Sequence, residues 1–221
     1  MWHALVQLLP VGLAAAVSSV PIMVTLLILV SDKRDQAALP YLLGWVIGAA
    51  ALVTTATIVA GLLPNDRPRQ HEELVGVIQV VIGGALGLLG LTALRLRHSE
   101  RATRLPGWMT RVDSLDSGPA FGVGVALNVR PKALLLTAAA GLILHTASLV
   151  AEETLIAIVF FTVVATSTVM APVLLTYLAP ARMEPRLNAA RRWLGANGPA
   201  VTAITMLAIG ILILLLGLTH L

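Results

Sequence analysis

Six stretches of mainly apolar sequence constrain this chain more than any other feature: residues 5–30, 39–63, 74–94, 120–144, 154–178 and 199–218. Each has the roughly 20 residues that an α-helix needs to cross a hydrocarbon core. They are too long for barrel strands, and backbone embedded in lipid must satisfy its own hydrogen bonds, so the expected architecture is an all-α integral membrane bundle. Composition agrees: of 221 residues, 57% are hydrophobic and 12% charged, against about 25% charged in a typical soluble domain. The first stretch continues far past Ala14-Ala15-Ala16, and no Lys or Arg precedes it. It is therefore expected to be retained as a span rather than cleaved as a signal peptide.

The loops orient the bundle. Loops one, three and five carry eleven basic residues: Lys33, Arg34, Arg95, Arg97, Arg101, Arg104, Arg111, Arg182, Arg186, Arg191 and Arg192. The opposite side carries Arg67 and Arg69 only. Basic loops stay in the cytoplasm, so the expected location is the plasma membrane, multi-pass, with both termini outside the cytoplasm.

The two halves of the chain resemble each other. Residues 11–21 (VGLAAAVSSVP) lie on 121–131 (FGVGVALNVRP), pairing Gly12 with Gly122 and Pro21 with Pro131. Residues 53–60 (VTTATIVA) lie on 164–171 (VATSTVMA), and 82–94 (IGGALGLLGLTAL) on 209–221 (IGILILLLGLTHL). Three matches in the same order point to an internal duplication. Three spans per half would force the second copy to be inverted, the plan of many transporters, whose sites lie near the midplane between repeats. The expected organisation is a first three-helix repeat at 1–94, a basic cytoplasmic connector at 95–119, and an inverted repeat at 120–221.

Pro21 and Pro131 fall inside the first and fourth stretches. Each should kink or break its helix, because proline removes a backbone donor and clashes with the preceding turn. The freed carbonyls would need partners such as Ser18, Ser19 or Asn128, or water in a cavity. A plain packing kink is the alternative. Asn128, Arg130 and Lys132 flank Pro131. A cation deep in the bilayer is costly and normally faces a cavity or a partner. Either these cations lie at such a depth, or the fourth span starts near Ala133 and they stand at the cytoplasmic surface, with residues 119–127 re-entrant or interfacial.

All eleven acidic residues lie in loops, which argues against a metal site, an organic-cation site or a carboxylate proton relay in the spans. With Arg130 and Lys132 present, the expected ligand is anionic or zwitterionic: a carboxylate, phosphate or sulfate. Thr54, Thr55 and Thr57 match Thr166, Ser167 and Thr168 across the repeat. They either line a polar path or bond their own preceding carbonyls. Gly44–Gly48 and Gly83–Gly87 have close-packing spacing. The segments 95–104 and 182–194 are basic and partly amphipathic, with Trp108 and Trp193 nearby, as in stretches that rest on anionic leaflets. The chain has no cysteine, which excludes thiolate metal sites and dithiol relays. No P-loop, zincin or nucleophile-elbow motif occurs. The chain is expected to be no enzyme and to use no cofactor or metal.

The Asn128-Val129-Arg130-Pro131-Lys132-Ala133 opening of the fourth span, with prolines in spans one and four, resembles the LysE superfamily of exporters. Ser19-Val20-Pro21-Ile22 and Leu43-Gly44-Trp45 look closer to its actinobacterial GAP or Sap branch, the glycopeptidolipid- and sulfolipid-addressing proteins. The resemblance covers nearly the whole chain. It implies a LysE-like fold and export of an anionic amphiphile or cell-envelope lipid, with membrane lipids as partners. Envelope-lipid export components and further copies of the chain are open partners; nucleic acid is not expected. The superfamily's amino-acid exporters keep Asn-Pro-Lys uninterrupted, so the inserted Val129-Arg130 counts against an amino-acid substrate. A proton-coupled amino-acid exporter and a non-transporting scaffold of a lipid-export complex stay open as alternatives. Thiol transfer, which needs paired membrane cysteines, does not.

Overall fold

The computed structural model describes residues 1–62, 68–96 and 115–218. They form eight helices and no strand: α1 (Trp2–Ala16), α2 (Ser19–Val30), α3 (Arg34–Gly61), α4 (Pro68–Leu96), α5 (Ser117–Ala126), α6 (Pro131–Thr146), α7 (Ala151–Leu178) and α8 (Pro180–Leu218). Among the described residues, α3 and α7 are long and apolar enough to cross a membrane by themselves. The bent pairs α1/α2 and α5/α6, turned by 56° and 63°, raise the count to four if each is one span. Val80–Arg95 and Ala203–Leu215 are shorter apolar stretches within α4 and α8. Most of the basic connector expected at 95–119 lies outside the described residues.

Each bent pair follows one long helix from end to end. Ser117 Oγ donates to Gln36 O at 2.8 Å near the start of α3. Asn128 Nδ2 donates to Trp45 O at 3.2 Å near its middle, and Gly141 packs on the Ala56 backbone near its end. The pair α5/α6 therefore runs parallel to α3 as a broken span does; a re-entrant hairpin would turn back. In the same way Gly12 packs on Val164, Thr168 Oγ1 donates to Ala16 O at 2.6 Å, and α2 shares a core with Val169 and Val173. The pair α1/α2 thus follows α7.

Glycine permits these approaches. A Cβ on Gly44 would collide with Phe121 O, and one on Gly124 with Tyr41 O. The close-packing reading of Gly44–Gly48 holds: α3 and α5 meet backbone to backbone, where dispersion between close surfaces supplies the attraction that apolar lipid cannot. The same device joins α4 and α8, which are antiparallel. A Cβ on Gly83 would stand 2.7 Å from Gly210 O, and one on Gly210 2.8 Å from Gly83 O. Gly90 meets Ala203 and Leu207, while Gly217 meets Gly76 and Val80. The contact set maps onto itself under the same pairing that aligns residues 82–94 with 209–221, so this interface has a local two-fold axis between Gly83 and Gly210.

One end of the bundle gathers the polar chain. Lys33 Nζ pairs with Asp116 at 2.6 Å, joining the α2–α3 turn to the start of α5. Leu29, Ser31, Arg34, Thr176, Pro180 and Leu187 line a depression at the same end, of about 280 Å³. Residues 179–198, expected to be a loop, are instead helical from Pro180 and continuous with the last apolar stretch. Amphipathicity explains the difference. Leu187 and Leu194 are buried in the core shared with α2 and α3, while Arg182, Arg186, Arg192 and Trp193 are exposed. A segment that buries one apolar stripe has reason to stay helical.

Candidate functional site

The two breaks meet inside the bundle. The α1/α2 break falls at Val17 and Ser18, the α5/α6 break at residues 127–130. Neither proline sits at a bend in mid-helix, as the sequence had implied. Pro131 opens α6 and Pro21 lies in the first turn of α2, where a missing N–H leaves no gap within the helix itself. Its cost falls on the preceding segment. The carbonyls four residues before the prolines, Val17 O and Leu127 O, lose the N–H that a continuous helix would supply.

Two cations take them. Lys132 Nζ donates to Val17 O at 2.6 Å, and Arg130 Nε donates to Leu127 O at 2.6 Å. Val17 and Leu127 are the C-caps of α1 and α5, so each cation rests on the negative end of a helix dipole. Arg130 Nη2 also reaches Ser18 Oγ at 3.4 Å. Ser18 thus meets the break through Arg130; the cations serve Val17 O and Leu127 O, while Asn128 serves Gly124 O beside the same break. Pro21 O, in turn, accepts Thr25 Oγ1 at 2.7 Å and Tyr41 Oη at 3.1 Å.

Depth follows from register. Gly48 is the midpoint of α3, and its Cβ position is filled by Asn128 Nδ2. A 28-residue helix is about 42 Å long, so the break lies about 20 Å from either end. Lys132 is 7% exposed. Pro131 does start α6, and the α5 segment before it packs along the first half of α3, so Arg130 and Lys132 stand inside the bundle at mid-length of that helix rather than at its end. Among the described residues no carboxylate lies within 4.0 Å of either cation. The carbonyl contacts use one hydrogen of Lys132 and leave most of the Arg130 fork to other partners.

A small cavity of about 30 Å³ opens beside them, walled by Ser18, Trp45, Asn128, Arg130 and Lys132 on its polar side and by Leu136, Phe161 and neighbouring alanines on the other. It holds about two waters. Asn128, 4% exposed, has both amide hydrogens engaged, on Trp45 O and on Gly124 O at 3.0 Å. Trp45 is buried, and its indole Nε1 has no hydrogen-bond partner among the described residues.

The hydroxyl clusters divide. Thr168 bonds across to Ala16 O at the break. Thr166 and Ser167 bond carbonyls of their own helix, Thr162 O and Val164 O. Thr55 and Thr57 do the same with Ala51 O and Val53 O, and Thr54 and Thr55 face outward. Thr54, Thr55 and Thr57 are not among the cavity walls; Thr55 and Thr57 bond their own preceding carbonyls. Ser19 is half-buried at the first position of α2. Sequence reasoning missed Trp45 and Tyr41 as site residues. Their signal is the spacing Tyr41, Trp45, Gly48, one face of a helix at i, i+4 and i+7.

A family model described as Sap, sulfolipid-1-addressing protein, matches residues 8–219. No curated protein matches the chain, and no solved structure matches it.

Proposed function

Because the chain belongs to the Sap family, we propose that it moves an anionic envelope lipid, or assists its movement, out of the cytoplasmic membrane. In this reading α1/α2, α3, α4, α5/α6, α7 and α8 are six spans in two inverted halves, 1–94 and 120–221, joined by the cytoplasmic connector 95–119. Both termini face away from the cytoplasm. The reciprocal glycine contacts of α4 and α8 support the inversion, since an antiparallel pair on a two-fold axis is what inverted copies would make. The chain acts by binding and displacement, with no bond chemistry of its own.

One observation carries the reading: two cations with no carboxylate partner among the described residues stand together where two broken helices meet, at mid-length of α3. Carbonyl dipoles hold them, but a full negative charge would compensate them better. The first turns of α2 and α6 add backbone N–H groups with no side-chain cap, and such ends favour anions. An anionic headgroup would bind there, its chains remaining in lipid.

The cavity's size favours a second reading. At about 30 Å³ it excludes a whole lipid headgroup. Either the bundle opens between outward- and inward-facing states, or the chain is a packed subunit that presents lipid to another exporter. Purified protein in vesicles separates these: transfer of a labelled anionic lipid between leaflets supports the transporter, and bound lipid without transfer supports the subunit. Mass spectrometry of co-purified lipid tests both. Recovery of zwitterionic lipid alone, equal in the wild type and in Arg130→Gln/Lys132→Gln, would remove the anion site.

A further inference from the structure

We infer that Trp45 determines the specificity of this site: its indole N–H is the neutral donor that holds one oxygen of a compact oxyanion lodged between Arg130 and Lys132. The inference rests on the anion-site reading above and adds to it a residue and a ligand size.

Trp45 is 5% exposed and forms part of the cavity wall. Its Nε1 is the one buried side-chain polar atom without a partner among the described residues. Buried indole N–H groups are normally paired, because an unmade hydrogen bond forfeits the donor's hydration with nothing in return. Trp45, which bears this N–H, is a wall of the same small space as the two cations. An acceptor placed in that space would meet a neutral donor from α3 and charged donors from the α5/α6 break.

The surrounding groups fix Trp45 without competing for that acceptor. Asn128 holds the Trp45 carbonyl at 3.2 Å and spends its second hydrogen on Gly124 O, so it is a positioning residue. Thr137, also a wall residue, donates to Ala133 O and Leu134 O in its own helix. The closed space takes about one or two oxygen-sized atoms, enough for the terminal oxygens of a sulfate, phosphate or carboxylate and not for a sugar or an acyl chain. Trp45 would thus read the charged end of the ligand only.

The test uses the full chain with ¹⁵N-labelled indoles in zwitterionic nanodiscs. The four tryptophans give four N–H signals, and Trp45→Phe identifies one of them. The disc lipid is then supplemented with a sulfated galactosylceramide, with uncharged galactosylceramide, or with sodium sulfate in the buffer. The Trp45 signal should shift with the sulfated lipid, stay put with the uncharged one, and lose its shift in Lys132→Gln. A matching shift with sodium sulfate supports the site and makes the free ion sufficient; a shift with the lipid alone supports it and makes the tail necessary. Trp45→Phe should weaken lipid binding about tenfold, while the variant keeps its helical circular dichroism. A Lys132-dependent gain in thermal stability from the sulfated lipid, with the Trp45 signal unmoved, would overturn the role of Trp45 and leave the anion site standing. No effect of the sulfated lipid on either measurement would remove the anion site and this inference together.

Discussion

Lys132 Nζ donates at 2.6 Å to the carbonyl of Val17, an acceptor 115 residues earlier in the chain, and that acceptor is open because Pro21 brings no N–H. Lys132→Met should therefore leave Val17 O unpaired and cost about 1–3 kcal/mol. In a Pro21→Ala background the new N–H of residue 21 can reach Val17 O, and the same Lys132→Met change should cost less by about 1 kcal/mol. Thermal unfolding of the four proteins in one detergent closes the cycle. An equal cost in both backgrounds would show that the proline and the lysine act independently.

A side chain at Gly48 should disturb the site through Asn128. A Cβ there would stand 2.6 Å from Asn128 Nδ2 and 3.3 Å from Val125 Cα. Gly48→Ala should cost about 1–3 kcal/mol, as overpacking does. It should also broaden or shift the Trp45 indole signal, since Asn128 holds the Trp45 carbonyl. Gly84 is the control: nothing lies within 4 Å of its Cβ position. Gly84→Ala should be neutral, or stabilising by up to about 1 kcal/mol through helix propensity. Similar losses in both variants would mean that glycine content alone matters.

The outline of this fold was legible because a bilayer leaves few choices: apolar runs of spanning length must be helices, and those runs coincide with α3, α7 and the two bent pairs. The breaks were legible too, from Pro21 and Pro131, although their positions fall up to four residues earlier, where the orphaned carbonyls lie. What stayed hidden depends on side-chain partners far apart in sequence. Nothing local says that Lys132 serves Val17, or that Thr168 serves Ala16 while its neighbours Thr166 and Ser167 turn to their own helix. Trp45 was legible as part of the Leu43-Gly44-Trp45 motif, but not as an unpaired donor; that required the neighbouring α5/α6 break to be placed. The helical course of 180–198 was obscured by its charges; Arg182, Arg186 and Arg192 are exposed while Leu187 and Leu194 are buried.

Gly83 and Gly210 should respond alike to substitution, because each meets the other's carbonyl in the same geometry. Gly83→Ala and Gly210→Ala should each destabilise the protein, within about 0.5 kcal/mol of one another. The double variant should cost less than their sum, since separating the helices once relieves both clashes. Thermal unfolding of the three variants measures this. Strongly unequal single costs would argue against a two-fold axis at this point.

Sidedness follows from the shared end of Gln36 and Ser117 and the opposite position of Ser148, between α6 and α7. Gln36 and Ser148 are both exposed, and the chain has no cysteine to add background. If the eleven basic residues face the cytoplasm, Ser148→Cys should react with a membrane-impermeant maleimide on intact cells. Gln36→Cys should react only after the cells are opened. Thr54→Cys, on an exposed face of α3 with Ile47 and Ile58, should resist the reagent in both cases if that face meets lipid. The reverse pattern at residues 36 and 148 would invert the proposed topology: the inner site would keep its residues, but the direction in which a lipid passes it would change sign.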